Sequence, residues 1–160
     1  MAKPILVLDF DGVIHSYVSG WQGATVIADP ATPGMVKFLR AAVDAFDVQI
    51  LSSRSKEPGG IDAMRHWLLR EIEWHFDCSF AGSSYDFDDA LALYNQIKFP
   101  TEKPAAFLTI DDRAITFTGE WPNIETLRSF QPWNKKPTTI EAVKLNDGLF
   151  QRIRKAWGSK

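Results

Sequence analysis

Short apolar runs that stop abruptly at polar clusters alternate along the chain with stretches whose apolar residues recur every three or four positions. Ile5 to Leu8 is continuous, partly β-branched, and halted by Asp9-Phe10-Asp11-Gly12. That pattern predicts a strand buried in a parallel sheet and running into a turn. Val13 to Ala28 sets Gly20 and Gly23 between short β-branched and aromatic segments, which predicts a hairpin or flap. A first helix follows, with Thr32 as N-cap, Pro33 at its first position, and Met35, Phe38, Leu39, Ala42 and Phe46 at helical spacing. Val48 to Leu51 is a second buried run, ending in Ser52, Ser53 and Arg54. After Pro58, Gly59 and Gly60, the spacing of Ile61, Met64, Leu68, Ile72 and Phe76 predicts a second amphipathic helix. A shorter helix is expected within Asp86 to Ile97, and a third apolar run, Ala105 to Ile110, ends in Asp111-Asp112. Thr138 to Trp157 is expected to return to helix, with Gly148 weakening its continuity.

Strands alternating with helices of this length imply parallel crossovers, hence an α/β fold with a doubly wound parallel sheet and helices on both faces. The 160 residues, 45% of them hydrophobic, suffice for one domain spanning 1–160. Pro132 to Pro137 reads as a surface loop and not as a linker. A net charge of -2 and a pI near 5.9 argue against a dedicated nucleic-acid binder, which usually carries a basic excess. The single cysteine, Cys78, excludes a disulfide framework and a thiolate metal cluster, and suits a reducing cytoplasm. Asp9 stops the first apolar run too early for a secretory signal, and charges interrupt every later run short of the roughly 20 apolar residues a membrane-spanning helix needs. A soluble cytoplasmic protein without a membrane partner is therefore expected.

In an open parallel sheet the ligand site lies beyond the C-terminal ends of the strands. Three polar clusters follow apolar runs there: Asp9 with Asp11, Ser52 with Arg54, and Asp111 with Asp112, the last run being preceded by Lys103. Four carboxylates in one crevice repel one another unless a divalent cation or a lysine offsets their charge. Mg2+ takes hard oxygen ligands, typically one or two carboxylates together with substrate phosphate. With phosphate oxygens neutralised, a carboxylate can attack phosphorus to give an aspartyl-phosphate. Asp11 is placed to protonate the leaving oxygen and later deprotonate water. Ser53 and Ser55 compete with Ser52 for the pocket, Lys98 competes with Lys103, and Arg54 is either a phosphate ligand or a salt-bridge partner.

The remaining polar and aromatic residues read as structural. His15, His66 and His75 lack zinc-site spacing. Trp67 and Trp74, seven apart on one helical face, are expected in the core, and Trp21 lies on the flap. Arg152, Arg154 and Lys155 are expected to complement a C-terminal helix dipole.

ILVLDFDGVI, from Ile5 to Ile14, resembles the first motif of the haloacid dehalogenase superfamily, an Asp-x-Asp-Gly after a buried strand. Ser52 after VQIL, Lys103 in EKPAAFLTIDDRA, and Asp111-Asp112 are similar to its later motifs in the same order. The resemblance covers the chain from the first strand through the fourth motif. It implies a haloacid-dehalogenase-like Rossmannoid fold and a magnesium-dependent phosphomonoester hydrolase with Asp9 as nucleophile and Asp11 as general acid/base. It further implies Ser52 bonding the phosphoryl group, and Lys103 neutralising nucleophile and phosphate. The metal would be held by the Asp9 carboxylate, the Asp11 main-chain carbonyl, and Asp111 or Asp112, with Asp112 preferred as direct ligand. Ser52-Ser53-Arg54 with Asp111-Asp112-Arg113 is also similar to the phosphatase half of phage polynucleotide kinase-phosphatases. No Gly-x-x-x-x-Gly-Lys-Ser/Thr loop for the kinase half occurs.

The segments between motifs hold a flap and helices but leave no room for a folded cap domain, so an open site is expected. The substrate would then be a phosphorylated small molecule or a nucleotide, or a polynucleotide phosphate end, with Ser53, Arg54 and Trp21 as contacts. Two other functions share these residue types. One is a receiver-like phosphoacceptor, although receivers pair acids at only one strand; the other is a catalytically silent phosphate-binding or interaction protein.

Overall fold

A computed structural model describes residues 2–79 and 87–135. The architecture is α/β, with a three-stranded parallel sheet in the order β2-β1-β3. The central strand β1, Ile5–Leu8, is the first apolar run, and Leu6, Val7 and Leu8 each expose 3% or less. On one side it pairs with β2, Asp47–Ile50, in the register Ile5 to Asp47 through Leu8 to Ile50. On the other it pairs with β3, Leu108–Ile110, Leu6 lying opposite Leu108 and Leu8 opposite Ile110. Lys98 adds one further parallel bridge to the outer edge of β2 at Gln49.

Two helices cover the buried strands. Helix α1, Met35–Ala45, turns Met35, Leu39, Ala42 and Val43 inward. It begins after Pro33 because Thr32 is drawn elsewhere: its hydroxyl donates to the Val13 carbonyl at 2.7 Å, and Gly34 enters the helix at φ 83° with no side-chain cap. Phe38, expected in the core, is 44% exposed. Helix α2, Gly60–Ser79, buries Met64, Leu68, Ile72 and Phe76 as its periodicity predicts. Gly60 lets it start hard against the turn at Ser53–Lys56, since a Cβ there would lie 2.1 Å from the Arg54 carbonyl oxygen. Trp67 packs edge-on against Phe10, whereas Trp74 is 66% exposed because Ile72 and Phe76 take the inward positions two turns further along. Helix α3, Phe87–Tyr94, packs on α2 and contributes Ala90 and Leu93 to the core.

The third strand departs from expectation in two respects. The third strand starts at Leu108 instead of Ala105, because a tight turn from Pro104 to Ala106 consumes its first residues. It is also apolar without being buried: Leu108 is 50% and Ile110 37% exposed. Of the hairpin or flap expected after Asp11, the chain forms a looped flap held by single bridges, from Asp11 to His15 and from His15 to Ala31. Beyond β3, a short helix α4, Ile124–Arg128, leads to a turn at Trp133–Lys135. The helix expected over Thr138 to Trp157, with Arg152, Arg154 and Lys155, lies outside the described residues. No described helix is long and apolar enough to cross a membrane.

Candidate active site

The parallel register delivers three polar clusters to one end of the sheet. Asp9 directly follows β1, and its N–H donates to the Ile110 carbonyl at 2.9 Å, which sets it beside the start of Asp111-Asp112. On the other flank the Leu51 N–H donates to the Leu8 carbonyl at 3.0 Å, bringing Ser52 to the same edge. Clusters as far apart in sequence as Asp9, Ser52 and Asp112 thus stand at the same end of the sheet.

Carboxylate oxygens of Asp9, Asp111 and Asp112 lie within 4.8 Å of one another. The Asp112 side chain exposes only 1%, and neither of its oxygens has a hydrogen-bond partner among the described residues. Arg113 Nε stands 3.8 Å from Asp112 Oδ2, too far for a hydrogen bond. Gly12 makes this proximity feasible, because a Cβ at that position, already at φ 97°, would come within 2.4 Å of Asp112 Oδ2. Burial is the main force on Asp9: its carboxyl is pushed up to about 7, the Phe10 N–H opposing and the charges of Asp111, Asp11 and Asp112 adding to the rise. Asp112 is likewise raised by burial, partly offset by Arg113. A buried carboxylate with no donor is costly, and a cation fits this oxygen-only set.

Asp11 lives under opposite conditions. Its Oδ2 accepts from Arg54 Nε at 2.8 Å, and its Oδ1 accepts from an Arg54 terminal nitrogen at 3.1 Å and lies 2.9 Å from His15 Nδ1. Burial pushes the Asp11 carboxyl up, but the His15 and Arg54 hydrogen bonds and the Arg54 charge outweigh it and hold the group below its ordinary value.

Arg54 itself is completely buried. Its other terminal nitrogen donates to the carbonyls of Gly23, Ala24 and Val26 at 2.7, 2.9 and 3.1 Å. Its guanidinium also lies 4.7 Å from the ring centre of Trp21, which is half exposed. Every guanidinium nitrogen is therefore committed to Asp11 or to the flap, and Arg54 ties the two together. Of the two roles the sequence left open for Arg54, phosphate ligand or salt-bridge partner, the structure shows an ion pair, made with Asp11.

Ser52 is buried, and its hydroxyl accepts from the Arg54 N–H at 3.3 Å while Ser55 Oγ accepts from the Ser52 N–H at 3.1 Å. Ser53 is exposed. Neither candidate lysine is brought into contact with the carboxylates. Lys98 bonds Asp47 at the start of β2. Lys103 is exposed in the approach to β3, upstream of Phe107, whose N–H pairs with Ile5 at the far end of β1.

Two features escaped sequence reasoning. His15 is buried against Asp11, where spacing had suggested only a structural role. Its signal was weak: a polar residue four positions after Asp11 in an apolar turn. The turn Trp133–Lys135 also braces the flap's root. Trp133 Nε1 donates to the Gly12 carbonyl at 2.6 Å, Asn134 to those of Ser16 and Tyr17, and Lys135 to that of Val18.

Comparison of the chain with protein-family models, with curated proteins and with solved structures returned no match.

Proposed function

We propose that the chain is a magnesium-dependent phosphomonoester hydrolase working through an aspartyl-phosphate on Asp9. The observation that carries this reading is the buried carboxylate of Asp112, without a donor among the described residues, beside Asp9 and Asp111 and set against an Asp11 whose two oxygens are both engaged. The acidic trio, with both Asp112 oxygens unpartnered among the described residues, has the chemistry of a hard-cation site, and the engaged acid that of a proton-transfer group fixed in place. Mg2+, held by Asp9, the Asp11 main-chain carbonyl, and Asp112 or Asp111, would neutralise phosphate charge so that one anion can approach another.

The chain's own groups do the rest. Asp9 attacks phosphorus as the ester oxygen leaves with a proton, and water then attacks the aspartyl-phosphate as Asp11 takes its proton. In its resting contacts Asp11 is a carboxylate, suited to the second step. For the first it must be protonated, by solvent or by the phosphate monoanion. Ser52 bonds the transferring group, and Lys103, exposed and away from the acids, would lend a neutralising charge only where its loop closes on the substrate. We further read the sheet as doubly wound and the site as capless, covered among the described residues by the flap, Val13 to Ala28. An open crevice admits a nucleotide or a polynucleotide end as readily as a small metabolite.

The test is a phosphomonoester screen with Mg2+ covering sugar phosphates, nucleotides and phosphorylated oligonucleotides, with Asp9→Asn as control. Turnover that requires both Mg2+ and Asp9 is expected; turnover surviving in Asp9→Asn would refute the assignment.

A further inference from the structure

Beside Asp11 sits a histidine that the reaction above does not use. His15 exposes 1% of its surface. Its ring is caged by Phe10, Tyr17 and Trp67, with centroids at 5.6, 5.9 and 5.5 Å. Rings at these distances fix its plane. Its two nitrogens face different partners. Nδ1 lies 2.9 Å from Asp11 Oδ1, and Nε2 accepts the Asp29 N–H at 3.1 Å.

The second contact decides the tautomer. A nitrogen that accepts an N–H carries no proton, so the proton of the neutral ring sits on Nδ1 and points at Asp11. The Asp29 carboxylate is 3.7 Å from Nε2, beyond hydrogen-bond range, and takes instead the N–H and hydroxyl of Ser19 at 2.8 and 2.6 Å. Those bonds close the flap's neck and hold the Asp29 main chain where its N–H meets the imidazole. The flap's fold thus sets which nitrogen of His15 donates, and His15 sets the orientation of Asp11.

From this geometry we infer that His15 is a positioning residue for Asp11: its Nδ1–H, fixed by the Asp29 main chain, orients the carboxylate toward the leaving group. The inference rests on the hydrolase reading for the reaction served, but its structural premise stands apart from activity. Arg54 holds both Asp11 oxygens, but the bond to Oδ1 is the longer at 3.1 Å. The imidazole adds a second, shorter contact of 2.9 Å to that same oxygen, and misplacement of a catalytic group by a fraction of an ångström is enough to slow proton transfer.

Three variants and one spectrum test it. His15→Phe keeps a ring in the cage and removes the donor; His15→Asn returns an N–H near the place of Nδ1. With Mg2+ in excess, His15→Phe is expected to lower kcat on an alkyl phosphate such as glycerol phosphate by about tenfold or more. It should lower kcat on p-nitrophenyl phosphate, whose leaving group needs little proton assistance, much less, with KM and the Mg2+ requirement unchanged. His15→Asn should recover most of the loss, and a melting curve on each variant separates these effects from unfolding. Asp11→Asn should abolish the difference that His15 makes. Nitrogen-15 spectra of the wild-type imidazole should show a protonated Nδ1 and a bare Nε2.

Equal loss on both esters, no recovery in a folded His15→Asn, or a proton on Nε2 would each overturn the role of His15 while leaving the hydrolase reading intact. A wild-type protein that turns over no ester would refute the hydrolase reading and, with it, the reaction His15 is inferred to serve.

Discussion

Asp11 and Asp112 are both buried carboxylates at the same edge of the sheet, and the fold treats them in opposite ways. Asp11 is surrounded by donors, Arg54 on both oxygens and His15 on one, and its carboxyl is held below its usual range. Asp112 has none among the described residues, and its carboxyl is raised by burial. The protein has completed one half of the crevice with its own side chains and left the other half in need of something positively charged. Burial alone therefore says little about a carboxylate's role; what separates the halves is who donates to the oxygens.

Substitutions should expose this asymmetry, most strongly at the nucleophile. Asp9→Asn is expected to remove turnover altogether, by about 10⁴-fold or more, since an amide does not attack phosphorus. Next, Asp11→Asn should slow turnover about 10²-fold or more on alkyl phosphates and cost about 3 kcal/mol of stability, because it leaves the fully buried Arg54 without its charged partner. Denaturant melts would check the second figure, and an Asp11→Asn protein as stable as wild type would break the comparison. Asp112→Asn should do the reverse: raise the Mg2+ concentration for half-maximal activity about 10- to 100-fold, yet leave the metal-free protein equally or more stable.

The two halves should also titrate with opposite sign. Asp9, raised from 3.8 to about 7, binds a proton more tightly folded than unfolded, so its contribution is full below about pH 4 and is lost as pH rises through 7. The ceiling on that loss is roughly 4 kcal/mol, about three pKa units at 1.36 kcal/mol each. Asp11, depressed from 3.8, contributes above that pH and loses its share in more acid solution. Melting temperatures of metal-free protein should fall between about pH 4 and 7, and Asp9→Asn should flatten the fall. The smallest effect is expected at Lys103: exposed and without an ion pair to the acids, its change to Ala should cost less than about tenfold in kcat. A thousandfold loss would mean that the loop bearing Lys103 closes on the substrate.

Much of this was legible from the chain. β1, β2 and α2 follow from Ile5–Leu8, Val48–Ile50 and the Met64, Leu68, Ile72, Phe76 stripe, because burial on one face or both leaves a periodic imprint. The placing of Asp9, Ser52 and Asp111-Asp112 at one end of the sheet also followed, since parallel strands present their C-terminal ends together. What stayed hidden depends on loops. Nothing in the spacing of Arg54 and residues 23–26 reveals that a side chain after β2 holds three carbonyls of the flap, and no periodicity links Trp133 to Gly12. His15 was hidden for a related reason: its meaning lies in two hydrogen-bond partners, one of them a main-chain N–H that carries no residue signature. β3 misled in the other direction, because an apolar run predicts a buried strand and this one stands half exposed.

The contact between Gly12 and Asp112 carries a consequence for heredity. A single methyl group at position 12 would meet Asp112 Oδ2 at 2.4 Å, and no acidic residue is shorter than aspartate to make way for it. Nor could the main chain easily follow, since φ at Gly12 is 97°, a value side chains resist. Across a lineage, then, these two positions a hundred residues apart behave as a single inherited character. Descendants that keep the acid must keep the glycine, and those that lose the acid shed the clash but still meet the strain of φ 97° at position 12.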